Sequence, residues 1–217
     1  MSEHATVLTT ELARYLAGLA AQEDDFLRDL RHQSAAAGIP PIGIAPEQAT
    51  MIQILLRFGG AARVLEIGTL AGYSAIAMAR ALQPPAELHS IEINADYADF
   101  AQKWVARSEV ADRITIHRGN AVELITTFDT ASFDAVFIDA DKTPSIHYLE
   151  QAKRVVRSGG LVLIDNAFAY GELLAESPAR KDDVWAIQKF NEFIARDDAL
   201  TSVILPTGDG MWVAIRE

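Results

Sequence analysis

Polar and apolar positions follow two different rhythms along the chain. Over residues 1–60 the apolar side chains recur at helical spacing. Leu12, Tyr15, Leu16 and Leu19 share one face, and Phe26, Leu27 and Leu30 continue an apolar pattern toward Gly38. This predicts an N-terminal helical cap. The prolines of Gly38-Ile-Pro-Pro-Ile-Gly43 cannot continue a helix, whereas Pro46 suits the first turn of another that ends near Gly59 and Gly60.

From Arg63 onward short β-branched runs alternate with helical segments, the pattern of βαβ units and a mostly parallel sheet. The strand candidates are Arg63–Ile67, Glu87–Ile93, Arg113–His117, Phe133–Asp139 and Gly160–Asp165. Between the last two, Thr143 as N-cap and Pro144 as first helical residue predict a helix to about Val156. Beyond the charged stretch Arg180 to Asp183, a helix passes through Phe190 and Phe193. Thr201–Leu205 and Met211–Ile215 then flank Pro206-Thr-Gly-Asp-Gly210, a loop of hairpin length, so the last strand returns antiparallel. The expectation is a single α/β domain over residues 1–217. Its core, residues 61–217, is a doubly wound seven-stranded Rossmann-like sheet.

Composition narrows the function. Nineteen Lys plus Arg against thirty Asp plus Glu give a net charge of −11, which disfavours a nucleic-acid partner because phosphate binding needs a basic surface. A small-molecule substrate fits better. The absence of cysteine removes disulfides, thiolate metal sites and thiol nucleophiles. Met1 to Thr10 lacks the basic flank and apolar run of a signal peptide, and no later run has membrane-spanning length, so no membrane partner and a cytoplasmic location are expected.

Candidate chemistry gathers at the strand ends. Glu66-Ile-Gly68-Thr-Leu-Ala-Gly72-Tyr-Ser74 joins a buried strand to a helix beginning near Tyr73, where free backbone N–H groups can hold an anionic or polar cofactor. Its spacing is neither the dinucleotide Gly-x-Gly-x-x-Gly fingerprint nor a P-loop, and glycines there also serve simple turn chemistry. Glu92 closes the second strand twenty residues after Gly72, where an acid can accept hydrogen bonds from both ribose hydroxyls. The fourth strand ends in Asp139-Ala-Asp141-Lys142 and the fifth in Asp165-Asn166. If these strands are parallel neighbours, Asp139, Asp165 and Asn166 converge within roughly 5 Å laterally. That is a hard oxygen set suited to Mg²⁺, Mn²⁺ or Ca²⁺; the alternative is that Asp and Asn merely end strands. Lys142 lies within reach of a hydroxyl held there, as base or electrostatic guide, or is simply solvated. His4, His32, His89, His117 and His147 show no metal-ligand spacing. Trp104, Trp185, Trp212, Tyr15 and Tyr73 read as packing residues.

From about Ile44-Ala-Pro-Glu47 to the C-terminus these residues resemble the cation-dependent class I O-methyltransferases, including the caffeoyl-CoA and catechol O-methyltransferase-like enzymes. The resemblance rests on Glu66-Ile-Gly68 with Gly72-Tyr-Ser74, Ile138-Asp-Ala-Asp-Lys142, Asp165-Asn166, Phe190-Asn191 and Leu205-Pro-Thr-Gly-Asp-Gly210 in order and spacing. It implies S-adenosylmethionine as cofactor, with Glu66, Gly68 and Ser74 at the methionine portion, Glu92 at the ribose and Ala121 at the adenine. It also implies a divalent cation, Mg²⁺ before Mn²⁺ or Ca²⁺, held by Asp139, Asp165 and Asn166. Asp139 and Lys142 would be the catalytic pair, with Lys142 as the base acting on a vicinal-diol aromatic acceptor. The N-terminal helices would border the acceptor and form a homodimer contact. Where many relatives carry tryptophan this chain has Ala169, which predicts an enlarged or reshaped acceptor pocket. Two rival readings are a nicotinamide-dependent oxidoreductase and a non-catalytic scaffold of the same fold.

Overall fold

The computed structural model describes residues 6–19 and 23–217. His4 and the first part of the Met1 to Thr10 reading lie outside the described residues. Helices α1 (Thr10–Leu19), α2 (Asp25–Ala36) and α3 (Pro46–Phe58) precede β1 (Arg63–Ile67), α4 (Tyr73–Ala79), β2 (Glu87–Glu92) and α5 (Ala95–Val105). Then follow β3 (Ile114–Arg118), α6 (Ala121–Leu124), β4 (Phe133–Ile138), α7 (Ser145–Val155), β5 (Val156–Ile164), α8 (Lys181–Ile194), β6 (Leu200–Leu205) and β7 (Met211–Arg216). All seven strands join one sheet in the order β3-β2-β1-β4-β5-β7-β6. Only β7 runs antiparallel to its neighbours. Among the described residues no helix is long and apolar enough to cross a membrane.

Period-two alternation sends each strand's side chains to opposite faces. Val64, Leu88, Ala135, Phe137 and Leu163 pack with α3, α4 and α5, and Leu27, Leu30, Ile52 and Leu56 of α2 and α3 belong to the same buried cluster. Leu65, Ile67, Val136, Ile138, Val162 and Ile164 pack on the other face with α7 and α8. Each such fully buried aliphatic side chain contributes about 1.5–3 kcal/mol.

Several local expectations change. The amphipathic helix at Leu12, Tyr15, Leu16 and Leu19 forms as α1 but buries no residue, so α2 and α3 provide the cover. Tyr15 and Trp185 are exposed rather than packed, and the Lys189 ammonium lies 3.5 Å from the centre of the Trp185 ring. Trp104, Trp212 and Tyr73 are buried as expected. Helix α7 begins at Ser145, one residue later than predicted, with Pro144 at the cap and no side-chain cap bond. Instead Ser145 donates to the Lys142 carbonyl through its N–H at 3.2 Å and its hydroxyl at 2.6 Å, closing a turn that sets Lys142. Strand β5 starts at Val156, directly out of α7, because Val156 pairs with Phe133 before the register shifts between Val156 and Leu161. A sequence pattern of glycines hid that first pair.

Asp134 ties the amino ends of three strands together. Its carboxylate accepts from Ala62 N at 2.9 Å, Arg63 N at 2.8 Å and Arg157 Nε at 2.7 Å. Burial pushes this carboxyl up, but the Arg157 guanidinium and the two N–H groups outweigh it and hold the group below 3.8. A depressed carboxyl contributes fully above its unfolded value and loses that contribution as pH falls through the folded one. Asp134→Ala is expected to cost about 1–3 kcal/mol at pH 7, with a smaller difference at pH 3. Urea denaturation at both pH values checks this, and an unchanged midpoint at pH 7 would rule it out.

Candidate active site

The sheet reverses its winding between β1 and β4, and there a doubly wound sheet opens a crevice at its carboxyl edge. The backbone ladder continues one residue past the strand ends. Gly119 N donates to Glu92 O at 2.9 Å, Gly68 N to Ile91 O at 3.0 Å, Asp139 N to Ile67 O at 2.9 Å and Asp165 N to Ile138 O at 3.0 Å. Gly68, Asp139 and Asp165 therefore stand side by side at the carboxyl edge of the sheet. Gly68 has φ +99, and a Cβ there would overlap the Asp139 carbonyl, so the turn glycine is required by the neighbouring strand as well as by its own conformation.

Lys142 sits among the predicted oxygen donors. Its Nζ lies 3.6 Å from Asp139 Oδ1 and donates to Asn166 Oδ1 at 2.6 Å. Burial raises both carboxyls. For Asp165 the charge of Asp139 adds to the shift, while Lys142 opposes it in each case. A buried acid and a half-buried one thus share the field of one cationic side chain. Among the described residues there is no group of three or more His, Cys, Asp or Glu that could hold a metal ion. The donor set is two carboxylates and one amide oxygen, all hard oxygens without imidazole or sulfur, which suits an alkaline-earth or Mn²⁺ ion.

The predicted cofactor residues line the neighbouring strand ends. Glu66 is fully buried and accepts from the Ser74 and Ser90 hydroxyls, with Thr69 in contact with Ser90 behind them. Burial pushes Glu66 up to about 8, against the two hydroxyls that favour its charged form, and Asp139 and Glu92 add to the rise. Glu92, also buried, accepts from Leu70 N and Asn94 N, each at 2.8 Å, and these two N–H groups fix its carboxylate at the end of β2. Ala121 is buried in the first turn of α6, which Asn120 caps through Val122 N at 2.9 Å. Gly72 caps α4 with φ +86 and packs closely on Ala101.

Sequence reasoning missed the residues that hold this set from behind. Gln48 of α3 is buried; it donates to Asp165 Oδ1 at 2.8 Å while its own oxygen accepts from Ala45 N at 3.0 Å. The only local signal was a glutamine two residues after the helix-starting Pro46, which reads as a cap. Asp209, in the β6–β7 turn, accepts from Asn166 Nδ2 at 3.2 Å. Tyr148 of α7 donates to Asp141 at 2.9 Å, bracing the loop that carries Asp139 and Lys142. The Ala169 side chain is fully buried and packs with Val184, Ile187 and Leu173 under the loop. Its neighbour Tyr170 is the exposed aromatic, with the Arg180 guanidinium 4.3 Å from its ring centre. His89 and His117 stack on each other between β2 and β3, with Glu87 3.5 Å from His89 Nε2. Trp212 borders a small cavity beside Lys142 and Asn166, and its indole N–H donates to Asn191 Oδ1 at 2.7 Å.

The sequence profile of a family described as O-methyltransferase matches residues 18–217. A catechol O-methyltransferase from Niastella koreensis is 34% identical over 209 residues, which cover 93% of this chain and 94% of that protein. An O-methyltransferase from Bacillus cereus, solved in complex with SAH, matches at a TM-score of 0.85 and 30% identity, covering 96% of this chain and 98% of that one. The O-methyltransferase TomG from Streptomyces achromogenes, involved in tomaymycin synthesis and solved with SAM, matches at a TM-score of 0.83 and 30% identity over 95% of this chain and 96% of that one.

The buried Glu66 carboxyl generates a pH signature. Its folded value of about 8 lies above the ordinary 4.5, so its contribution to stability is fully present below pH 4.5 and is lost as pH rises toward 8. Glu66→Gln keeps the shape and the hydrogen bonding of the protonated acid without titrating. Without cofactor, the variant should gain on the wild type as pH rises through that window, by up to about 1 kcal/mol per pH unit. Guanidinium melts at half-unit pH steps would show it; parallel stability curves would mean that Glu66 is charged throughout.

Proposed function

The chain belongs to the O-methyltransferase family and is an S-adenosylmethionine-dependent enzyme of it, and we propose that its acceptor is a catechol-type aromatic whose vicinal hydroxyls are held with the help of a divalent cation. The observation that carries this reading is the pair of acids at adjacent strand ends, Asp165 buried and Asp139 half-buried, with the Lys142 ammonium between Asp139 and Asn166 Oδ1. The ammonium stands where a cation is electrostatically required, and every donor around it is an oxygen. Asp139, Asp165 and Asn166 would hold the ion, Mg²⁺ before Mn²⁺ or Ca²⁺. When bound, the ion supplies positive charge that makes an acceptor hydroxyl more acidic. The catechol class also draws support from the Niastella koreensis relative.

The chain's own groups then divide the work. Glu92, held by two backbone N–H groups, offers its remaining lone pairs to the ribose hydroxyls of the cofactor. Glu66, Gly68 and Ser74 face the methionine portion, whose ammonium and sulfonium charges favour the ionised form of nearby acids, and Ala121 borders the adenine. Lys142, braced by the Ser145 turn, takes the acceptor proton as a free amine or, as an ammonium, stabilises the acceptor oxyanion. When bound, the cofactor would supply a sulfonium methyl for direct displacement by the acceptor oxygen, so these residues would act mainly by positioning and charge stabilisation. An oxidoreductase reading does not survive family membership. The scaffold reading is opposed by the complete set of acids, amide and lysine.

Turnover of caffeic acid with S-adenosylmethionine should vanish in EDTA and return with Mg²⁺ or Mn²⁺. Lys142→Ala should lower kcat by roughly 10²-fold with S-adenosylhomocysteine affinity nearly intact. Full activity in EDTA, or equal use of a phenol with one isolated hydroxyl, would remove the catechol and cation reading while leaving the methyltransferase assignment in place.

We also infer a homodimer. The chain leaves Tyr15, Leu16 and Leu19 of α1 and Ile54 and Phe58 of α3 exposed, and apolar surface of this kind marks an interface. Sedimentation should give twice the 23.6 kDa chain mass, and Phe58→Asp should shift it toward monomer. A monomeric wild type would refute the assignment.

A further inference from the structure

The turn between β6 and β7 reaches into the site from 43 residues away in sequence and decides which end of one amide faces the acids. The Asn166 amide lies between Lys142 Nζ, 2.6 Å from its oxygen, and Asp209 Oδ2, 3.2 Å from its nitrogen. An amide accepts at one end and donates at the other. An ammonium only donates and a carboxylate only accepts, so one orientation alone satisfies both neighbours. Lys142 is the movable partner, since an incoming cation competes with it for the Asn166 oxygen and an acceptor oxygen can draw it away. Asp209 is the fixed one: it also accepts from Tyr170 N at 2.7 Å and Gly171 N at 3.1 Å. Its turn is seated tightly on both sides. A Cβ at Gly210 would lie 2.8 Å from the Phe168 ring, and one at Gly208 would overlap the Gln48 amide that holds Asp165.

We propose that Asp209 is a positioning residue that sets the polarity of the Asn166 amide, turning its oxygen into the site and its nitrogen away. The inference rests on the reading above in which that oxygen helps to hold a divalent cation. Without the carboxylate at 209 the amide is free to present its NH₂ group, which repels a cation instead of donating a lone pair. Partners behind a metal ligand commonly change affinity about 10–100-fold when removed.

The test is a double-mutant cycle read by Mn²⁺ calorimetry on the protein saturated with S-adenosylhomocysteine, with thermal melts alongside. Asp209→Asn should weaken Mn²⁺ binding about tenfold or more. In the Asn166→Asp background the same change should cost nothing or improve binding, because the new NH₂ group at 209 then donates to the new carboxylate at 166 and leaves its other oxygen facing the site. Nothing at 166 can replace the bonds to Tyr170 N and Gly171 N. A loss due only to loop support would therefore be equal in both backgrounds, and that result overturns the inference. So does an Asp209→Asn protein that binds like the wild type. If Asp209→Asn is too unstable to titrate, the double variant against Asn166→Asp decides alone: weaker binding in the double variant is evidence against the proposal. A wild type that takes up no Mn²⁺ would defeat the cation reading itself, and this inference with it.

Discussion

The site depends on the parallel register of β1, β4 and β5, carried one residue beyond the strands by Asp139 N to Ile67 O and Asp165 N to Ile138 O. Neighbouring strands lie about 4.8 Å apart, so this register alone brings two carboxylates into each other's field. A slip of one residue in β4 would send Asp139 to the opposite face of the sheet and break the pair. The same constraint explains Gly68, because the Asp139 carbonyl occupies the space that any side chain at Gly68 would need. Backbone pairing, driven by two buried sheet faces, therefore delivers the chemistry before any side-chain contact is considered.

Once placed, the acids create an electrostatic deficit that the rest of the site answers. Burial raises Asp139 and Asp165, and each feels Lys142 as the nearby positive charge. Gln48 donates to Asp165 from a helix on the far side of the sequence, and Ser74 and Ser90 donate to the buried Glu66. Buried polar groups that keep their partners cost little, whereas unpaired ones cost about 1–3 kcal/mol each. A crevice whose acids are hydrogen-bonded but short of cations suits a positively charged cofactor, consistent with methyl transfer from a sulfonium donor.

The supports come from elements that share no sequence neighbourhood. Helix α3 contributes Gln48, α7 contributes Tyr148 against Asp141, and the β6–β7 turn contributes Asp209. The segment after β5 needs such help. Asn166, Ala169 and Tyr170 all adopt positive φ, a conformation that costs non-glycine residues about 1–3 kcal/mol each. The bonds from Asp209 to this segment and the burial of Ala169 under α8 offset that strain.

Much of this was legible in the sequence because it depends on local periodicity and on residues at strand ends. The alternation of β-branched runs with helices identified the seven strands to within a few residues. The positions of Glu66, Glu92, Asp139 and Asp165 after apolar runs then determined that they would meet at one sheet edge. Three features were beyond reach because they depend on long-range packing. No periodicity shows that α1 buries none of its residues against the rest of the described chain, and Ala169 shows its burial only once α8 is docked over it. The roles of Gln48 and Asp209 exist only after α3 and the β6–β7 turn close on the ends of β5. A hydrogen bond spanning 117 residues leaves no trace in local sequence, since what selects each residue there is a partner supplied by another element.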